Sequence, residues 1–394
     1  MFSTKSSYDI VVVGGGPGGA LSAWKAAEQG VNVLMIEKDR EIGLPVRCAE
    51  AIGADVVHRY LEKDPRWISH ELHGARFFAP SGDSVEFSLD SLGSGYILER
   101  NVFDRELANQ AARAGADIRV STCATGLVYD QDRLAGVKMN TRGEEYTVPC
   151  KIVIAADGVE SRVARWAGLN TMIALRDLEV TTQYLMDNVT TDKGYFEFYL
   201  GKEVAPGGYL WIFPKGPNTA NVGIGVCGRY TRRQSSTAYL DAFVEKHLPN
   251  STPLGMVVGS VPVAHTLDDI VTDGLMIVGD AARMVNPSTG GGIAQAMTSG
   301  EIAGKIAGEA IKKGDVSKEE LFRYRKAWDK RYGNLQKRIY GLKEAFHKVP
   351  DEDFNRTAAL FKNKKHVHVF ELLTKLLIHQ PGMILNFMRA FAGR

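Results

Sequence analysis

The chain has 394 residues, 44% of them hydrophobic and 24% charged, with a formal net charge of +2. That length exceeds what one hydrophobic core usually supports, and the composition excludes disordered, collagen-like and integral membrane classes. There is no uncharged apolar run long enough to span a bilayer and no signal-peptide pattern at the amino terminus, so a cytoplasmic location is expected.

Cys48, Cys123, Cys150 and Cys227 form no CxxC pair, so no zinc or thioredoxin-like motif is indicated and no metal site is expected. From Lys312 onward 19 Lys and Arg face 9 Asp and Glu. Such a basic stretch suits a solvated helical surface, or one that meets anionic lipid headgroups or phosphate. No nucleic-acid partner is expected.

Residues Tyr8 to Val13 read as a buried strand, an apolar β-branched run that ends in glycines. Gly14, Gly16 and Gly19 then form GxGxxG, Ala20 to Gln29 has helix-forming composition closed by Gly30, and a second strand, Val31 to Ile36, ends at Glu37. Gly14 permits the tight turn, Gly16 lets a pyrophosphate approach the backbone, and Gly19 lets helix and strand pack closely. The helix amino terminus supplies free N–H groups and a positive dipole end. Glu37 suits the ribose hydroxyls of an adenosine. The unit therefore predicts dinucleotide binding.

Asn101 to Ala114 reads as a helix with Arg100 just before it, a fixed cation suited to phosphate oxygens or to an ordinary salt bridge. Asp117 to Thr122 reads as a strand, with Ala124 after it. Lys151 to Gly158 (KIVIAADG) and Leu275 to Ala282 (LMIVGDAA) are further buried strands, ending at Asp157-Gly158 and Gly279-Asp280. After the second come Gly290, Gly291 and Gly292, which open an apolar helix at Ile293. Strand ends of an α/β sheet gather at one edge, and three such ends call for one long ligand.

Between Arg165 and Asp269 the texture turns β-rich: Leu178 to Met186, Gly194 to Leu200, Gly208 to Phe213, Asn221 to Val226 and Met256 to Ala264 predict an inserted antiparallel sheet. A period of two puts Tyr209, Trp211 and Phe213 on one face, and Gly223 and Gly225 share a face on the next strand. Two readings stand: a flat slot between an aromatic and a glycine wall, or sheet core with glycines covered by aromatics. A second GxGxxG at Gly223, Gly225 and Gly228 is rejected, because Arg229 to Arg233 do not open an apolar helix.

Beyond Ser317 the chain predicts basic helices, Ser317 to Lys348 and then Asp353 to Arg394, divided near Pro350 and Pro381. Val367, Phe370, Leu373, Leu376, Leu377, Ile384, Leu385, Phe387, Met388 and Phe391 alternate with Lys364, Lys365, Lys375 and Arg389 at amphipathic spacing. This face either packs on the protein or forms a lipid-facing entrance.

GxGxxG, Asp157-Gly158 and Gly279-Asp280, in this order, resemble the FAD superfamily of para-hydroxybenzoate hydroxylase. LPVRCAE at Leu44 to Glu50, Arg100 in ERNVFD, and PGGYLWIFP at Pro206 to Pro214 followed by Gly223-Ile224-Gly225 narrow the resemblance to the geranylgeranyl reductase family, in particular its archaeal digeranylgeranylglycerophospholipid reductases. One departure is Ala51, where that family often has glycine.

The resemblance implies an α/β fold: a Rossmann-like FAD domain (residues 1–165 and 270–315), an inserted antiparallel-sheet substrate domain (166–269) and a helical carboxyl-terminal region (316–394). It implies FAD contacts at Gly14, Gly16, Pro17, Gly19, Glu37, Lys38, Cys48, Ala49, Ala51, Arg100, Ala124, Asp157, Gly279, Asp280, Gly291, Gly292 and Ile293. It implies reduction of isoprenoid double bonds on a prenylated glycerophospholipid, with Tyr209, Trp211, Phe213, Gly223 and Gly225 at the substrate. An unactivated alkene needs a proton as well as a hydride. Tyr209 and Cys48 are the candidate proton donors, and Trp211 is a face that can stabilise positive charge. The electron donor, NADPH or a ferredoxin-type protein, is left open, and peripheral membrane association is expected. An aromatic hydroxylase using NADPH and oxygen and a non-catalytic prenyl-lipid carrier are the alternatives.

Overall fold

The computed structural model describes residues 5–88, 94–192, 194–361 and 367. The chain divides into two compact units, one of residues 1–46, 100–172 and 264–337, the other of 47–99, 173–263 and 338–394. The sequence division differs in two ways. Residues 47–99 cluster with the inserted sheet, and the carboxyl-terminal region is shared out, because strands Gly74–Phe78 and Ser84–Ser88 extend that sheet and helix Asp351–Phe361 packs on the latter.

In the first unit a six-stranded sheet runs in the order Val271–Thr272, Leu275–Ile277, Ile152–Ala155, Ile10–Val13, Val33–Ile36, Asp117–Arg119. All neighbours are parallel except the first pair. Strands Ile10–Val13, Val33–Ile36 and Ile152–Ala155 are buried along their whole length, as a parallel sheet covered on both faces requires. Helix Pro17–Ala27 begins at the glycine turn, three residues before the sequence reading placed it, because Pro17 fits the first helical turn.

That helix lies against helix Ile293–Lys313 with backbones nearly touching. A Cβ on Gly300 would fall 2.2 Å from the Gly18 carbonyl oxygen, and one on Gly304 would fall 2.4 Å from that of Ser22. With Gly308 these glycines form a one-face stripe at four-residue spacing that the sequence reading did not single out. A separate three-stranded sheet comprises Thr122–Asp130, Arg133–Thr141 and Glu144–Pro149.

In the second unit a seven-stranded sheet has the order Thr252–Pro262, Leu178–Asp187, Ala220–Cys227, Tyr209–Pro214, Tyr195–Tyr199, Gly74–Phe78, Ser84–Ser88. It is mixed, not purely antiparallel: Tyr195–Tyr199 pairs with Gly74–Phe78 in parallel. One face packs Leu210, Ile212, Val222, Ile224 and Val226 against Leu240 and Phe243 of helix Ser236–His247. The opposite face carries the aromatics and the polar residues described below.

Lys318–Trp328, a π-helical turn Asp329–Gly333 and Asn334–Phe346 fill the predicted helical stretch. Val367, expected on the amphipathic face, is buried with Phe361, Ala358, Val85 and Phe87. The other positions named on that face, Phe370 through Phe391 and the interleaved Lys364, Lys365, Lys375 and Arg389, lie outside the described residues. No helix among the described residues is long and apolar enough to cross a membrane.

Candidate functional site

In the first unit the ends of four parallel strands stand in register, Val13 beside Ile36 and Ala155, with Ala155 beside Ile277. Gly14, Glu37, Asp157 and Gly279-Asp280 therefore collect at one sheet edge. Gly14 has φ +112°, and a Cβ there would lie 2.3 Å from the Ala156 carbonyl oxygen, so the turn excludes every side chain. Gly19 is stricter still, with a Cβ 1.9 Å from the Gly14 oxygen. A Cβ on Gly16 meets nothing within 4 Å, which leaves the backbone open to a ligand. Helix Pro17–Ala27 has no side-chain cap at Gly16, so its first N–H groups face that opening.

Glu37 accepts from the amides of Gly15 (2.8 Å) and Asp39 (2.9 Å), which fixes the carboxylate while each oxygen keeps a lone pair. Lys38 turns to Asp39 at 2.5 Å with a half-exposed side chain. Asp157 accepts from the Val163 amide at 2.9 Å, while its Oδ1 is buried with no partner among the described residues. Burial raises its carboxyl, against backbone hydrogen bonds that lower it.

Asp280 stands in the short helical turn Gly279–Ala282, not in the strand, which ends at Ile277. Burial pushes its carboxyl up to about 6, opposed by the charge of Arg100. Its Oδ1 lies 3.0 Å from where a Cβ of Gly292 would stand, and Gly292 precedes helix Ile293–Lys313, which again has no side-chain cap. Gly291 donates to the Thr289 hydroxyl at 3.2 Å. An open glycine cradle, two uncapped helix starts and an orphaned buried carboxylate oxygen fit a long dinucleotide cofactor.

Two placements differ from the sequence reading. Arg100 is the first residue of helix Arg100–Arg113, and its guanidinium grips Asp104 through two 2.6 Å hydrogen bonds, so much of its donor capacity is committed one turn along its own helix. Ala124 lies on strand Thr122–Asp130, opposite Met139, because the preceding strand stops at Arg119.

Cys48, Ala49 and Ala51 belong to the second unit. The Cys48 carbonyl accepts from the Gln183 side chain at 3.0 Å, and Gln183 in turn accepts from the Trp211 indole N–H at 3.0 Å. Asn221 donates to Glu50 at 2.8 Å and to the Ala49 carbonyl at 3.4 Å. Lys215, itself 9% exposed, pairs with Glu50 at 2.9 Å and Glu99 at 2.8 Å. The sheet face thus fastens the cysteine segment through Gln183, Asn221 and Lys215.

The slot between an aromatic and a glycine wall is not what forms. Tyr209, Trp211 and Phe213 do share a face, but Tyr209 is the direct cross-strand partner of Gly225 and Trp211 that of Gly223. A Cβ on Gly223 would fall 2.4 Å from Trp211 Cζ2, so the indole already fills that volume. Trp211 and Phe213 are buried with Phe196, Leu72 and Ile97, so the sheet-core reading holds for these two. Tyr209 is half-buried at the edge of this cluster, with its phenol raised first by burial and then by the charges of Glu179 and Cys48. Glu179, Gln183, Asn221, Glu50 and Lys215 were missed by the sequence reading.

Residues 177–261 match the family model of the geranylgeranyl reductase catalytic domain, and 12–86 match an NAD(P)-binding Rossmann-like domain. Over 90% of its length the chain is 46% identical to digeranylgeranylglycerophospholipid reductase 2 of Methanococcoides burtonii, of which it covers 88%. Over 96% it is 44% identical to the digeranylgeranylglycerophospholipid reductase of Methanocella arvoryzae, covering 98% of that protein. Among solved structures, a geranylgeranyl bacteriochlorophyll reductase-like protein of Thermoplasma acidophilum superimposes with a TM-score of 0.92 at 38% identity, covering 98% of this chain and 99% of that one. A flavin-dependent brominase shares the fold at a TM-score of 0.73 and 16% identity, covering 97% of this chain and 100% of that one.

Proposed function

The chain belongs to the digeranylgeranylglycerophospholipid reductase family, and from that premise we propose that it is an FAD-dependent reductase that saturates the isoprenoid double bonds of a prenylated glycerophospholipid. The observation that carries the reading is the similarity along almost the whole chain, across both the glycine-turn unit and the sheet with Tyr209 and Trp211.

In this reading the FAD pyrophosphate rests on Gly14, Gly16, Pro17 and Gly19, and Glu37 takes the adenosine ribose. Asp280 would hold the ribityl hydroxyls, and the amides of Gly291, Gly292 and Ile293 would hold the pyrimidine end, since a helix amino terminus favours negative charge. Bound and reduced, the flavin supplies the hydride. Tyr209 sits on the lipid side and holds a proton for the alkene. Trp211, through Gln183, keeps the Cys48 segment in place. The electron donor is NADPH or a ferredoxin-type protein, and the enzyme works peripherally on a membrane surface, since its substrate is a lipid.

Incubating dithionite-reduced protein with digeranylgeranyl lipid under anaerobic conditions should add two hydrogens per saturated bond in the mass spectrum. An unchanged lipid mass would overturn the reading. Asp280→Asn should lower FAD retention about 10- to 150-fold, the equivalent of about 1.5–3 kcal/mol for a charge-assisted hydrogen bond. Because the carboxyl titrates at about 6 without cofactor, wild-type affinity should fall as pH drops through that value, while the variant shows no such step. Equal retention in both proteins, read by ultrafiltration and flavin absorbance, would remove Asp280 from the site.

A further inference from the structure

Glu179 is the second residue of strand Leu178–Asp187, 9% exposed, and its Oε2 is buried without a hydrogen-bond partner among the described residues. A polar atom in that state is disfavoured unless something else requires it. The carboxyl rests over two glycines: a Cβ on Gly208 would come 2.9 Å from Oε2, and one on Gly225 would come 3.6 Å from it. Gly225 is the cross-strand partner of Tyr209. Alternation carries Glu179, Thr181 and Gln183 onto the face that holds Cys227, Gly225 and Gly223, and with them Tyr209 and Trp211. The carboxyl, the phenol and the indole-anchored cysteine segment therefore share one face.

We propose that Glu179 is the proton source of the reduction, acting through the Tyr209 hydroxyl. The inference rests on the reading of the chain as an alkene-saturating flavoenzyme. Each saturated bond gains one hydride, supplied by the reduced flavin, and one proton. The Tyr209 O–H proton passes to the alkene carbon while the Glu179 carboxylic acid passes its own to the phenolic oxygen. The π bond breaks, two C–H bonds form, and the carboxylate left at Glu179 takes a proton from water before the next cycle. The two electrons come from the external reductant, dithionite in the test.

The charged and titratable groups around Glu179 set its proton inventory. Burial pushes the carboxyl up to about 8 and the nearby Lys343 ammonium pulls it down, but that ammonium is committed to Asp177 at 3.0 Å. The Tyr209 phenol and the Cys227 thiol are both raised, by burial first. At neutral pH Glu179 therefore holds its proton and is the strongest acid of the three.

Glu179→Gln preserves the shape and removes the acid, and Glu179→Asp restores the acid one methylene short. In single turnovers with dithionite-reduced, FAD-loaded enzyme and digeranylgeranyl lipid, Glu179→Gln should be slower by about 100-fold or more. Glu179→Asp should recover part of the loss, and the wild-type rate should fall as pH rises through about 8 while that of Glu179→Gln stays flat. Two readouts need no turnover. In infrared spectra the wild-type protein should show a protonated-carboxyl band that vanishes as pH rises through about 8 and is missing from Glu179→Gln.

Thermal melting gives the second. A carboxyl raised on folding contributes stability that is present below its ordinary range and lost as pH rises toward about 8. The wild type should therefore lose stability relative to Glu179→Gln across that interval. Glu179→Gln turning over at the wild-type rate, or a wild-type protein without the titrating band, overturns the inference. A wild-type enzyme that leaves the lipid unsaturated overturns the functional reading instead, and the band still reports whether Glu179 holds its proton.

Discussion

Lys343→Met is expected to lower the unfolding free energy by about 3–5 kcal/mol, the range for removing one partner of a buried ion pair. The Lys343 side chain is 3% exposed and donates to Asp177 at 3.0 Å and to the Val263 carbonyl at 2.9 Å. Tyr340, one helical turn before it, donates to the same Asp177 oxygen at 2.7 Å. Burial alone would raise the Asp177 carboxyl, but these two donors hold it below the usual range. A carboxyl depressed on folding contributes stability that is present above its ordinary value and lost as pH falls through the folded one. The gap between wild type and Lys343→Met should therefore be widest at neutral pH and narrow in acid, as Asp177 takes a proton. Adding Asp177→Asn to Lys343→Met should recover part of the loss, since no buried charge is then left alone. Urea titrations of the three proteins measure this, and a pH-independent gap would contradict it.

The first unit was legible because its signals are local. The turn at Gly14 to Gly19, the acid at Glu37 and the runs that end at Asp157 and Asp280 each lie within a few residues of the strand they terminate. The glycines of helix Ile293–Lys313 are local too, but their meaning lies in the neighbouring helix, and a stripe at Gly300, Gly304 and Gly308 also reads as poor helix former. The second unit was harder. Strands Gly74–Phe78 and Tyr195–Tyr199 pair across more than a hundred residues, and no periodicity in either announces the other. Glu179, Thr181 and Gln183 alternate with Val180 and Thr182, the usual pattern of a strand with one wet face, yet Glu179, Thr182 and Gln183 are all buried. Alternation alone does not say whether a polar face is wetted or covered, so the acid and the amide on it were passed over.

The sharpest test of that face contrasts two neighbouring glycines. Gly223→Val should destabilise the protein by several kcal/mol, approaching the roughly 3–5 kcal/mol of Trp211→Ala, whereas Gly225→Ala should leave stability nearly unchanged. A Cβ at Gly223 would stand 2.4 Å from Trp211 Cζ2, and the indole has little room to retreat, because its N–H is tied to Gln183 at 3.0 Å and its ring is packed beside Tyr209 and Phe213. At Gly225 the nearest atom would be 3.6 Å away, an ordinary contact. The consequence reaches Cys48. Once the indole shifts, Gln183 loses the donor that orients it, and its own hydrogen bond to the Cys48 carbonyl is weakened. Folded Gly223→Val should therefore show faster modification of Cys48 by a thiol reagent than wild type, mapped by peptide mass spectrometry, and Gly225→Ala should match wild type. If the glycines instead formed one wall of an open slot, a side chain at either position would be accommodated with similar small losses of stability and no change at Cys48. Equal melting temperatures for Gly223→Val and Gly225→Ala would decide for that arrangement and against an indole seated on Gly223.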